Sequence, residues 1–175
     1  MGVSSMGGVM PSEYATDGGA RETPVRVGDT RRPASRERHP MSVLQKTVIG
    51  ALVAIHLAAN VWHGGAHREL VIDPSSSQLA FIVVVILMAP VVSGVLVWTR
   101  FVTPGLWMLL LSMLGALLFG VYHHYILISP DNIAHLPDGS HEAHERFASS
   151  AATLAVLELA GAVYGAFCLG ARGAR

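Results

Sequence analysis

The chain is predicted to be an all-α integral membrane protein, a four-helix bundle behind a disordered N-terminal tail, on three observations. Only 14% of its residues are charged while 51% are hydrophobic, against the roughly one-quarter charged that a soluble domain carries. Four stretches approach the ~20 apolar residues that a spanning helix requires. Eight of the nine histidines crowd between His56 and His144, in and beside those stretches, where polar side chains are costly and are kept for function.

Residues 1–41 mix Gly, Ser, Pro and Arg without an apolar period, the composition of a disordered cytoplasmic tail. They lack the apolar core and small-residue cleavage pattern of a signal peptide. Met41 is a second candidate start, which would make the tail an over-extension of the reading frame. Residues 42–175 form the membrane domain, with spans at about 43–63, 79–99, 102–128 and 145–171. The first span is the least apolar, because Lys46, His56 and Asn60 interrupt it. The second runs from Leu79 to Trp98 and the third from Phe101 to about Ile128, both without a charge. Before the fourth span, Pro137-Asp138-Gly139 signals a turn and Ser140 an N-cap. Glu142 and Glu145 then suit the positive end of the helix dipole. Inside that span the one carboxylate is Glu158.

Basic residues set the orientation. Arg21, Arg26, Arg31, Arg32, Arg36, Arg38, Lys46, Arg100, Arg172 and Arg175 fall on one side, and Arg68 and Arg146 on the other: ten against two. With a start at Met41 the ratio becomes four against two. Both termini are therefore expected in the cytoplasm, and the Gly- and Ala-rich spans suit a bacterial plasma membrane. A formal net charge of zero gives no long-range pull toward nucleic acid. The single cysteine, Cys168, excludes an internal disulfide and reads as a small buried apolar residue.

In this orientation the first helix leaves the membrane near His63. His56, Asn60, His63 and His67 fall within about 60° of arc at 100° per residue, one polar stripe from mid-membrane to the outer surface. Headgroup anchoring beside Trp62 accounts for His63 and His67. It does not account for His56, roughly 10 Å deeper at 1.5 Å per residue. On the third helix, Tyr122-His123-His124-Tyr125 has the makings of an aromatic belt. Adjacent histidines point about 100° apart, so only one can face the bundle centre. His123 shares a face with Ser112 and Ala116, His124 with Met113 and Gly120, and spacing does not choose between them. On the fourth helix, His144, Ala151, Glu158 and Gly165 recur every seven residues, with Ala155 and Ala162 flanking. Gly161-x-x-x-Gly165 has the spacing that lets helices approach closely, and would serve a homo- or hetero-oligomer. Glu158 thus faces packed protein at nearly the depth of His56. A buried pair of His56 and Glu158 with Asn60 is expected, since an unpaired carboxylate there is costly. The alternative is a protonated Glu158 bonded to Asn60 or Ser93.

His63 and His67, at i and i+4, can share a metal ion. His123 or His124, with His144, would complete a site at the outer surface for zinc, copper or iron, all of which imidazole suits. The segment His63-Gly-Gly-Ala-His67 lacks the glutamate of a zincin, and His141-Glu-Ala-His144 is one residue too short. Haem b is the other cofactor the pattern admits, between His56 or His63 and His123 or His124, or with Met113 as an axial ligand. Covalent haem is excluded by the lack of C-x-x-C-H. No phosphate loop, nucleotide fingerprint or supported Ser-His-Asp arrangement is present. The expected function is therefore a small multi-pass protein with an outward-facing histidine-rich site for a transition metal or haem. Two other classes stay open: a proton- or ion-coupled transport component or pH sensor, and a non-catalytic membrane subunit or structural partner. Whether the chain is an enzyme, and on what substrate, is left open by these residues.

Overall fold

In the computed structural model, residues 40–173 are described, and all belong to one compact unit. The tail expected over 1–41 lies outside the described residues except for Pro40 and Met41, and Met41 packs into the core. Among the described residues the regular structure is all helical. Four helices are long and apolar enough to cross a membrane: α1 Val43–Glu69, α2 Ser76–Leu96, α3 Val102–Ile126 and α4 His141–Gly173.

Each start has a local cause. Ser42 Oγ accepts from Gln45 N–H at 3.1 Å while Gln45 Oε1 accepts from Ser42 N–H at 3.0 Å. Ser75 and Gln78 repeat this reciprocal box at the head of α2, so two orphan donors at each helix start are satisfied. Ser140 Oγ accepts from Ala143 N–H at 3.1 Å and starts α4 above the apolar run. The end of α1 is closed by Ile72 N–H on His67 O at 2.9 Å and Val71 N–H on Arg68 O at 3.3 Å, the Schellman pattern. Val71 takes the left-handed position there, at φ 54°. α1 therefore continues to Glu69, past His63 and His67, which keeps both imidazoles on a rigid element.

Two segments widen to i→i+5 turns, Ile82–Met88 in α2 and Tyr122–Ile126 in α3. The first precedes Pro90, whose missing N–H and bulky ring disrupt ordinary α-helix bonding. Ala89 N–H reaches back to Val84 O and carries the helix through. The second ends α3: Leu127 N–H bonds Tyr122 O at 2.7 Å, and the free carbonyl of His124 accepts Ile133 N–H at 3.0 Å. The 127–140 connection is thereby folded back over the end of the bundle.

α4 packs against both α1 and α3, while α2 lies mainly on α3. The outer face of α2 presents Leu79, Val83, Val84, Met88, Val92 and Val95, a surface that only lipid solvates without penalty. Apolar residues fill the interior at its two ends. One cluster gathers Ile49, Val53, Val97, Leu106, Leu109, Met113 and Ala162; the other gathers Ala66, Leu70, Ile72, Ala143 and Phe147. Beside and between them lie the buried polar residues His56, Glu158, His63, Ser150 and His124. Gly161 and Gly165 lie against α3: a Cβ at Gly161 would meet Met113 Cγ at 2.8 Å, and one at Gly165 Leu110 N at 3.4 Å. Their small size lets α4 approach α3.

Candidate metal centre

Three imidazoles converge where α1, α3 and the head of α4 meet. His63 Nε2 lies 3.0 Å from His67 Nε2 and 3.1 Å from His124 Nε2, and the ligand atoms of all three lie within 4.8 Å of one another. The i, i+4 spacing on α1 supplies the first two. The face Met113–Gly120–His124 supplies the third, and Met113 on that face is buried in the core. Phe147 closes the inner side, its ring 4.9–5.3 Å from the three imidazoles by centroid.

The outer nitrogens are held. His63 Nδ1 is 2.9 Å from Ser150 Oγ, and Ser150 gives its one hydroxyl proton to Phe147 O at 3.0 Å. Ser150 must therefore accept from His63, which places that ring's proton on Nδ1. His124 Nδ1 is 3.0 Å from the Asp131 carbonyl oxygen, an acceptor only, so His124 also donates from Nδ1. Both Nε2 atoms then turn bare lone pairs toward each other. Such outer-nitrogen bonds fix tautomer and ring orientation in metal sites.

Asp131 adds charge. Its Oδ1 lies 3.3 Å from His124 Nδ1 and 3.4 Å from His67 Nε2, yet the carbonyl takes the better-aligned bond and Oδ1 keeps none of its own. Burial pushes the carboxyl up, but the His124 N–H and the electrostatics of the neighbouring imidazoles outweigh it and hold Asp131 below the usual carboxylate range. Asn132 places this residue: its side chain bonds Leu127 O at 3.0 Å and Ala134 N–H at 2.9 Å. Among the cluster's residues, His67 and Asp131 are the accessible edge, their side chains 20% and 15% exposed.

The other expected residues fall elsewhere. His123 turns away from the cluster, lies tilted against Phe119 and meets Gln78 Nε2 at 3.3 Å. It pairs with α2 because the ring adjacent to an inward-facing His124 must point to the next helix. His144 also stands apart: its Nε2 donates to Pro137 O at 2.8 Å, which ties α4 to the turn before it. These two line separate shallow hollows on the surface. His56 Nε2 lies 3.4 Å from Glu158 Oε1 and 3.1 Å from Asn60 Nδ2, fully enclosed by the bundle.

Asp131, Ser150 and Phe147 were invisible as site residues in the sequence. Ser129-Pro130-Asp131-Asn132 reads as a turn, and Ser150 as a neutral helix residue. The signal that finds Ser150 is its phase, seven residues after Ala143 and eight before Glu158 on the inner face of α4.

Comparison with protein-family models, curated proteins and solved structures finds no match for this chain. Fold and site define its class: a four-span membrane protein with a buried tri-histidine cluster able to hold a metal ion.

Proposed function

We propose that the protein is a membrane metal-binding protein in which His63, His67 and His124 hold one divalent transition-metal ion, zinc first and copper or iron otherwise. One observation carries this reading. Two imidazoles with their protons committed outward face each other through bare Nε2 atoms 3.1 Å apart, and a third Nε2 stands 3.0 Å away. Lone pairs at that separation repel unless a cation lies among them. A proton serves two nitrogens; a metal ion serves three. In a tetrahedral site with Zn–N bonds of ~2.0–2.1 Å, neighbouring nitrogens stand about 3.3–3.4 Å apart, so small ring movements suffice. Three protein ligands leave a fourth position, the arrangement of sites that bind water or substrate. The accessible His67–Asp131 edge is the way in.

Haem b fits less well. Its axial nitrogens face each other across a macrocycle, and Phe147 packed on all three rings leaves no slot for one. The basic-residue asymmetry supports an outward-facing centre, cytoplasmic termini and a bacterial plasma membrane.

The test is metal analysis and an optical spectrum of detergent-purified protein. About one zinc, copper or iron per chain is expected, with loss of that metal in His63→Ala and His124→Ala. Cobalt substitution should give the visible absorption of a tetrahedral site. A Soret band would select haem instead, and a protein that neither retains nor takes up metal would end the proposal.

A further inference from the structure

We propose that Glu158, held against His56, is a proton-exchanging counter-charge for the metal centre: the pair carries one proton more when the three imidazoles are empty and releases it when a divalent ion binds. This rests on the metal reading above and deepens it.

The first support is charge balance. Three neutral imidazoles leave a divalent ion with two uncompensated charges, and Asp131 supplies one negative charge. The remaining carboxylates near that end are engaged at the surface, Glu69 and Glu142 with Arg146 and Glu145 with His141, or lie on exposed connections at Asp73 and Asp138. Glu158 is the buried one, 4% exposed. A buried divalent charge in low dielectric favours an anion there.

The second support is the hydrogen bonding of the empty pair. Asn60 Nδ2 is 2.9 Å from His56 O, an acceptor only, which fixes the amide orientation. The same Nδ2 is 3.1 Å from His56 Nε2, so Nε2 accepts and the ring proton lies on Nδ1. His56 Nδ1 is buried and has no partner. Nε2 then faces Glu158 Oε1 at 3.4 Å, two electron-rich atoms whose approach is favourable only if Glu158 keeps its proton. Metal binding resolves the second difficulty, with Asn60 Nδ2 keeping its bond to His56 O and giving up Nε2. The Glu158 O–H bond breaks and an Nε2–H bond forms on His56, while the unpartnered Nδ1–H bond breaks and its proton leaves to the buffer. His56 stays neutral, Glu158 becomes the anion, and His56 donates to it.

The third support is the absence of a barrier. A Cβ on Gly120 would lie 3.9 Å from both Glu158 Oε2 and the His124 ring. Carboxylate and ligand ring thus face each other across a glycine, with no side chain between them from that position. The titratable groups that face the pair are limited. α1 supplies His56 and, toward the site, His63; α3 supplies His124, within electrostatic reach of Glu158; α4 supplies Glu158 itself; α2 contains no titratable side chain.

The experiment counts protons released when zinc ion alone is titrated into the full chain in detergent, by calorimetry at neutral pH in two buffers of different ionisation enthalpy. Wild type should release about one proton more than Glu158→Gln, since ligand deprotonation on metal binding is otherwise common to both. Equal counts, with zinc bound by both, would overturn this inference and leave the metal centre standing. Wild type that binds neither zinc nor, in the same titration, copper or iron would overturn both. Should the variant not fold, infrared difference spectra of wild type decide: zinc should remove the carbonyl band of a protonated carboxyl, and an unchanged band overturns the inference.

Discussion

Asp131 joins two of the three imidazoles to one negative charge, through its carbonyl on His124 and its carboxylate beside His67. Asp131→Asn keeps the backbone carbonyl and the side-chain shape and removes only the charge. Zinc affinity should fall about 10–100-fold, the usual cost of losing such a partner, as read by competition with a chelator of known affinity. Because the carboxyl is held below the usual range, its contribution is complete above the ordinary carboxylate pKa and is lost only as pH falls through the lowered value. Between about pH 7 and 5, above the ordinary Asp value of ~3.9, the Asp131 charge should stay constant. Wild type and Asp131→Asn should therefore lose affinity in parallel over that interval. A curve flattened by the substitution would mean that the carboxylate titrates there. Val71 is the other residue whose backbone matters. A β-branched side chain at φ 54° carries a penalty of roughly 1–2 kcal/mol. Val71→Gly removes it at some cost in unfolded-chain entropy, so a net gain of about 0.5–1 kcal/mol is expected in detergent unfolding. Destabilisation would show that the Schellman closure depends on the Val71 side chain.

Helix by helix, the polar stripe of α1 was legible because a 100° period puts His56, Asn60, His63 and His67 on one face whatever surrounds them. The small-residue face of α4 was legible in the same way, and it leads to Glu158. What spacing could not supply is direction. Choosing His124 over His123 depends on how the widened turn at the end of α3 packs, and His144 finds its acceptor in Pro137 only once the turn has formed. The capping boxes Ser42-x-x-Gln45 and Ser75-x-x-Gln78 are readable signals, and the second sets the start of α2 at Ser76, ahead of the apolar run from Leu79. Asp131 stayed hidden because loops have no period to argue from. The glycines give a test at this scale. Gly161→Ala places a methyl 2.8 Å from Met113 Cγ and 3.1 Å from Leu52 Cδ2, overpacking that should cost about 1–3 kcal/mol. Gly50→Ala meets nothing within 4 Å and should gain up to ~1 kcal/mol of helix propensity. Thermal unfolding of the two variants in one detergent compares them, and equal melting would mean that α4 has room to withdraw from α3.

Among the described residues, apolar clusters at the two ends flank a polar interior whose accessible edge is His67 and Asp131. Its opening lies with the α1–α2 turn and the 127–140 connection, so the side these segments occupy decides where metal enters. The same two segments hold or border Arg68 and Arg146, while Lys46, Arg100 and Arg172 belong to the opposite end. Positive charge is retained on the cytoplasmic side, so the proposed topology has the opening outside. A charged maleimide applied to intact cells should therefore label Ser77→Cys and Asp138→Cys, both at exposed positions beside the site. Ala171→Cys, exposed at the far end of α4, should react only after the cells are permeabilised. Cys168 is buried and should contribute little background. The reverse pattern would turn the bundle over and give the metal centre to the cytoplasm. The coordination geometry would survive that result, but the ion bound there would then come from the intracellular pool.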